Sequence, residues 1–287
     1  MNDAPQPPPV IETPPVMESV PAASKNVFQK AWAGLLTFIA ATWKFAYPVF
    51  KLAKAGKILL TASTMLLSVW FYSLTFGWTF ALGFVVCIFI HEMGHVFAAW
   101  LLGMPVSTPI FIPGMGALIL SKRMGKSAWQ SAVMGFGGPL FGALAGVGCW
   151  GIYGLTGNAL FLGLALVGFF MNLFNMIPVF PLDGGWITGA VSPYIWVAGM
   201  VGLVALVAFG IVHSPFVWIL ILMSLPRIFT AFKTGTMDTG VIRTTASQRA
   251  IAGIAYISLC TFLVWGISRT HDGTVAYRNA RRSAAIQ

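Results

Sequence analysis

The chain is 287 residues long, 57% hydrophobic and only 8% charged, where an ordinary soluble domain carries roughly 25% charged residues. That composition argues against a soluble globular protein and puts the chain in a membrane. The net charge of +10 does not mark a nucleic-acid surface, because the 17 Lys and Arg sit at the flanks of apolar segments, in 25–57, in 122–126 and from Arg227 onward. Those are the places where the positive-inside rule and anionic lipid put basic residues.

In chain order, Met1–Ala23 holds seven of the 17 prolines and three acidic residues, so 1–27 is expected to be a disordered, partly extended tail. It lacks the basic start and apolar run of a signal peptide and is expected to be retained. Segment 28–57 mixes Trp32, Leu35, Leu36, Phe38 and Ile39 with Lys44, Lys51, Lys54 and Lys57, which suits a basic amphipathic helix in the membrane interface. A transmembrane core, 58–232, then places six apolar spans at about 58–76, 79–102, 129–153, 158–178, 193–212 and 214–232, each near the ~20 residues that cross the hydrocarbon. A basic region, 233–287, contains one more apolar stretch at 249–267. Whether it crosses is open, because crossing would put Arg269, Arg278, Arg281 and Arg282 outside, against the positive-inside rule. With the lysine-rich region inside, the N-terminus is expected in the cytoplasm.

Between the second and third spans, 105–120 reads differently. Its Val, Ile, Phe and Thr, broken by Pro113-Gly114-Met115-Gly116, predict two short strands around a turn. At membrane depth such a hairpin must be covered by protein or line a wet cavity. The predicted fold class is therefore an all-α polytopic membrane protein with a six-helix core and a short membrane-associated β-hairpin. The cysteines, Cys87, Cys149 and Cys260, share no metal or redox spacing. Cys87 lies on the same helix face as His91 and reads as a packing residue rather than a ligand.

From about Ile58 to Phe232 there are only two acidic side chains, Glu92 and Asp183. An ionisable group at that depth costs at least about 2.5 kcal/mol and marks a functional site. Glu92 belongs to His91-Glu92-Met93-Gly94-His95. On a helix the two histidines share a face and can bind one zinc ion, with Glu92 beside it as general base. A shuffled chain of this composition would contain the pattern with a probability of only about 4 in 10,000. Two histidines leave a catalytic zinc one protein ligand short. Asp183, in Pro181-Leu182-Asp183-Gly184-Gly185, is the remaining acidic candidate, carried by a segment that two prolines and a double glycine break. A loop-capping carboxylate is the plainer reading of Asp183. Asn172 and Asn175 share a face of the fourth span; they either orient substrate or the water at the metal, or make ordinary interhelical hydrogen bonds. Gly135, Gly138 and Gly142 allow close packing, within the chain or between copies in a homo-oligomer.

His91-Glu92-Met93-Gly94-His95 together with Asn175-Met-Ile-Pro-Val-Phe-Pro-Leu-Asp183-Gly-Gly resembles the site-2 protease family of zinc intramembrane metalloproteases. The likeness covers about 58–232 and includes Gly137-Gly138-Pro139 and the hairpin. It implies zinc held by His91, His95 and Asp183, Glu92 as the catalytic base, and a substrate cut within its transmembrane segment, in a bacterial cell membrane. The proline-rich tail, the charged N-terminal helix and the seventh apolar stretch lie outside that family core, and nothing resembles a PDZ or CBS domain. The competing classes are a membrane metal transporter or sensor, which normally lines a path with several polar residues, and an inactive scaffold, which has no need of Glu92.

Overall fold

The computed structural model describes residues 56–119, 127–234 and 244–284. The tail 1–27, most of the amphipathic segment 28–57 and the basic cluster Lys122-Arg123-Lys126 lie outside the described residues. The elements in order are α1 (Lys57–Phe76), α2 (Trp78–Leu101), β1 (Ile110–Ile112), β2 (Gly116–Leu118), α3 (Ala128–Thr156), α4 (Ala159–Asn175), α5 (Asp183–Gly189), α6 (Pro193–Ala208), α7 (Pro215–Thr234) and α8 (Ala246–Ala284).

The all-α class with a hairpin holds, but the count of six spans does not. Four described helices are long and apolar enough to cross a membrane: α1, α2, α3 and Ala246–Tyr277 of α8. The apolar stretches of α4, α6 and α7 are shorter. For α4 the reason is local. It stops at Asn175 because Pro178 and Pro181 cannot continue the helical ladder, leaving 17 residues, about 25 Å of rise against ~30 Å of hydrocarbon.

The stretch expected at 249–267 is the middle of the 39-residue α8. Tyr256 meets the end of α4 at Met176, Gly266 lies against Phe169, and Gly273 lies against Leu162 near the start of α4. The helix is therefore antiparallel to α4 and carries Arg269 toward the side where α4 begins. Leu259 and Leu263 join Phe169, Ala165, Ala143, Met176 and Ile187 in the largest core cluster. This burial places α8 beside α3, α4 and α5.

Gly157 adopts a left-handed conformation (φ 66°) and closes α3, and the Asn158 side chain accepts from Leu160 N to cap α4.

The hairpin is a tight antiparallel pair, Ile110 opposite Leu118 and Ile112 opposite Gly116. It folds back into the bundle along α1. Thr61 donates to the Pro109 carbonyl (2.7 Å), Phe111 N donates to Thr64 Oγ1 (3.2 Å), and the Tyr72 ring reaches the backbone of Gly114 and Gly116. From Thr61 to Tyr72 the helix advances about 16 Å, the same as about five extended residues. Phe111 is buried against Val69, Ala81, Val85 and Ile88 and stacks on Phe89 at 6.5 Å. The strands thus sit at the depth of the histidine motif, with protein covering one side, as backbone at that depth requires.

α2 and α3 approach closely where two glycines face each other. A Cβ on Gly94 would strike the Gly137 carbonyl and the Phe141 Cβ, and one on Gly137 would strike the Gly94 carbonyl and Ala98. Gly94→Ala is therefore expected to lower stability by about 1–3 kcal/mol, read as thermal unfolding in detergent. Gly148→Ala, on the same helix as Gly137 but facing open space, is expected to leave it unchanged.

Candidate metal centre

Three elements place the polar side chains of the core. His91 and Glu92 on α2 are buried, at 4% and 5% exposure, and Asn172 on α4 is completely buried. His95 is one helical turn beyond His91, and Asp183 is the first residue of α5. His91 Nε2 and His95 Nε2 are 3.2 Å apart. Asp183 reaches both, with Oδ2 3.2 Å from His91 Nε2 and Oδ1 3.3 Å from His95 Nε2. Among the described residues these three form the one group of three or more His, Cys, Asp or Glu able to share a metal ion. Donors about 2.0–2.1 Å from a tetrahedral zinc are about 3.3 Å from one another, so the spacing fits that ion.

The ring nitrogens facing away from this centre are fixed. Asn172 Nδ2 donates to the Gly168 carbonyl (2.7 Å). That turns Oδ1 toward His91 Nδ1, 2.7 Å away, and an amide oxygen only accepts. His95 Nδ1 lies 2.8 Å from the Met134 carbonyl, which also only accepts. Both Nδ1 atoms therefore carry a proton, and in the neutral ring each Nε2 would offer its lone pair to a cation shared with Asp183. An outer partner that sets tautomer and ring angle is the usual support of a metal-binding histidine.

Glu92 is close enough to His91, His95 and Asp183 to interact with all three electrostatically. Asn175 is half-buried at the last position of α4. Of the two readings of Asn172, the structure provides the interhelical bond, and its partner is the His91 ring. Cys87 is buried and stands against Cys149, outside the metal-capable group.

Three glycines of α3, spaced by three and four residues, meet these groups in turn. A Cβ on Gly135 would touch Trp186 and the Asp183 carbonyl. One on Gly138 would collide with His95 and His91, and one on Gly142 with the Asn172 amide. These glycines serve packing within the chain. Sequence reasoning missed Met134, whose contribution is a backbone carbonyl and leaves no signature in residue type.

Apolar helices thus surround a two-histidine, one-carboxylate group able to hold a metal ion, with a buried glutamate beside it. Comparison with known proteins agrees. Residues 79–158 match the model of peptidase family M50. The chain is 27% identical over 111 residues to a zinc metalloprotease of Methanocaldococcus jannaschii, an overlap covering 37% of this chain and 32% of that protein. It is 30% identical over 152 residues to a candidate zinc metalloprotease of Synechocystis sp., covering 46% of this chain and 40% of the relative. The chain thus spans less than half the length of the curated relatives it matches. The family model and both relatives show a likeness to peptidase family M50 over part of the chain. The matched segment contains His91, Glu92, His95 and the three glycines but ends before Asp183, whose place in the centre rests on the geometry.

Replacing Asn172 by Ala frees the His91 ring and its tautomer. Zinc affinity, read by competition with a chelator, is expected to fall about 10–100-fold.

Proposed function

We propose that the protein is an intramembrane zinc endopeptidase that cuts a peptide bond within or near the transmembrane segment of a membrane-protein substrate, with one zinc per chain. The carrying observation is the convergence of His91, His95 and Asp183 at tetrahedral spacing with Glu92 buried beside them. A zinc ion held there would polarise the scissile carbonyl and lower the pKa of a water toward ~7. His91, His95 and Asp183 hold the ion. Glu92 takes the proton of the attacking water and returns it to the leaving amine. In this reading Asn175, the last residue of α4, helps to hold the substrate carbonyl.

A helical substrate hides its carbonyls in its own hydrogen bonds and must be extended before it is cut. The hairpin supports strand addition, and one edge is preferred. Phe111 turns its N–H outward to Thr64, so Phe111 and Ala117 form the pair that does not bond across the ladder. The outer edge of β1 is therefore taken by α1. Ala117 turns its backbone N–H and C=O to the outer edge of β2, next to α2, which carries the histidines.

His95 is six residues from Leu101 at the end of α2, about 9 Å of rise. With that end cytoplasmic, as the lysines after it suggest, the cut falls nearer the cytoplasmic than the outer end of the substrate span.

Two variants test this with a single-span transmembrane peptide in detergent micelles, products identified by mass spectrometry. Glu92→Gln is expected to keep zinc and lose cleavage, and Ala117→Pro to keep zinc and cut the same peptide at least tenfold more slowly. Wild-type protein that takes up zinc and cuts no membrane peptide would favour the transporter reading. Undiminished cleavage by Ala117→Pro would remove the strand-addition step.

A further inference from the structure

The two prolines that end α4 leave a stretch of backbone, 176–182, outside the regular helices, and the carbonyls of Ile177, Val179 and Leu182 in it accept from nearby backbone N–H groups. In a membrane interior each carbonyl needs a donor. Two helices distant in sequence supply side-chain donors to two more carbonyls of this stretch, and a third ties down the start of α5. Tyr256 on α8 donates its hydroxyl to the Met176 carbonyl (2.6 Å). Ser224 on α7 donates to the Phe180 carbonyl. Trp196 on α6 donates its indole N–H to the Gly185 carbonyl (2.6 Å).

The Tyr256 bond has a direct path to the metal centre. Met176 is 1% exposed, so its carbonyl has no water to turn to. The same carbonyl group lies against Gly184, where any Cβ would collide with it, and Gly184 follows Asp183. The hydroxyl thus fixes a carbonyl that in turn seats the backbone next to the third candidate ligand. We infer that Tyr256 is a positioning residue for the metal centre, holding Asp183 in register with His91 and His95 from a helix that contributes no ligand. Without the hydroxyl, the buried Met176 carbonyl must move toward another donor, and the backbone packed on it carries Asp183 off the two Nε2 atoms.

This rests on Asp183 being a ligand, so the test separates the two claims. Zinc affinity is measured by chelator competition on the full-length protein in detergent for wild type, Tyr256→Phe, Asp183→Ala and Leu259→Ala. The visible spectrum of the Co2+-loaded proteins is recorded alongside, with thermal unfolding of the metal-free forms. Leu259 packs in the same core from the same helix and serves as the purely structural control. Tyr256→Phe is expected to weaken zinc binding on the order of tenfold and to change the Co2+ spectrum. Leu259→Ala is expected to lower the unfolding temperature with affinity and spectrum intact. Wild-type affinity and spectrum in Tyr256→Phe, with metal lost in Asp183→Ala, would overturn the role of Tyr256 and leave the metal centre standing. Wild-type affinity in Asp183→Ala would overturn the ligand set itself. Should Tyr256→Phe fail to accumulate, Gly184→Ala probes the same contact from the other side. There the added methyl is expected to displace the Met176 carbonyl and weaken zinc to a similar degree, and unchanged affinity would again overturn the inference.

Discussion

Everything polar in this bundle is organised by the absence of side chains along one face of α3. Gly135, Gly138 and Gly142 stand against the start of α5, the two histidines of α2 and the Asn172 amide of α4, respectively. Lipid supplies no hydrophobic drive for helices to associate, so close van der Waals approach and interhelical hydrogen bonds must hold them. A methyl group at Gly135 or Gly138 would push α5 or α2 away from α3, and one at Gly142 would push away the Asn172 amide that holds the His91 ring. The facing glycines of α2 and α3, Gly94 and Gly137, act the same way one register over. The metal centre is therefore a product of backbone proximity: His91, His95 and Asp183 meet because the helix behind them has nothing in the way.

The second organising requirement is electrostatic. Two carboxylates at this depth would each cost about 2.5–3.5 kcal/mol if left alone on a lipid-facing helix. Asp183 is placed between two Nε2 atoms, and those rings are anchored by an amide oxygen and a backbone carbonyl. The break that brings Asp183 there exposes carbonyls of its own, which Tyr256 and Ser224 answer, while Trp196 holds the Gly185 carbonyl at the start of α5. The geometry of the metal-capable group and backbone satisfaction involve the same set of helices, and α8 takes part although it lies far beyond the matched family segment.

Much of this was legible in the chain itself. A glutamate and two histidines at i, i+1 and i+4 in an apolar stretch announce a helix with a metal-binding face, and α2 bears it. Pro113-Gly114-Met115-Gly116 between β-branched runs announces the hairpin, and β1 and β2 flank that turn. Pro178, Pro181 and the double glycine announce the break. Span count was not legible, because hydropathy reports apolar length but not where a helix must stop to serve a site, as α4 does at Asn175. The partner of Asn172 was undecidable for a related reason: spacing on one helix fixes a face but not what packs there. The direction of the glycine face needed three-dimensional contacts, and the tie from Tyr256 to Met176 spans 80 residues with no pattern in the sequence to mark it.

The central claim is a His91, His95, Asp183 donor set. Zinc K-edge X-ray absorption on the purified, zinc-loaded protein tests it most directly. The structure predicts a first shell of nitrogen and oxygen alone at about 2.0–2.1 Å, with imidazole scattering from two histidines, and the same spectrum after Cys87→Ser. A sulfur scatterer near 2.3 Å, or imidazole scattering from a single histidine, would contradict it.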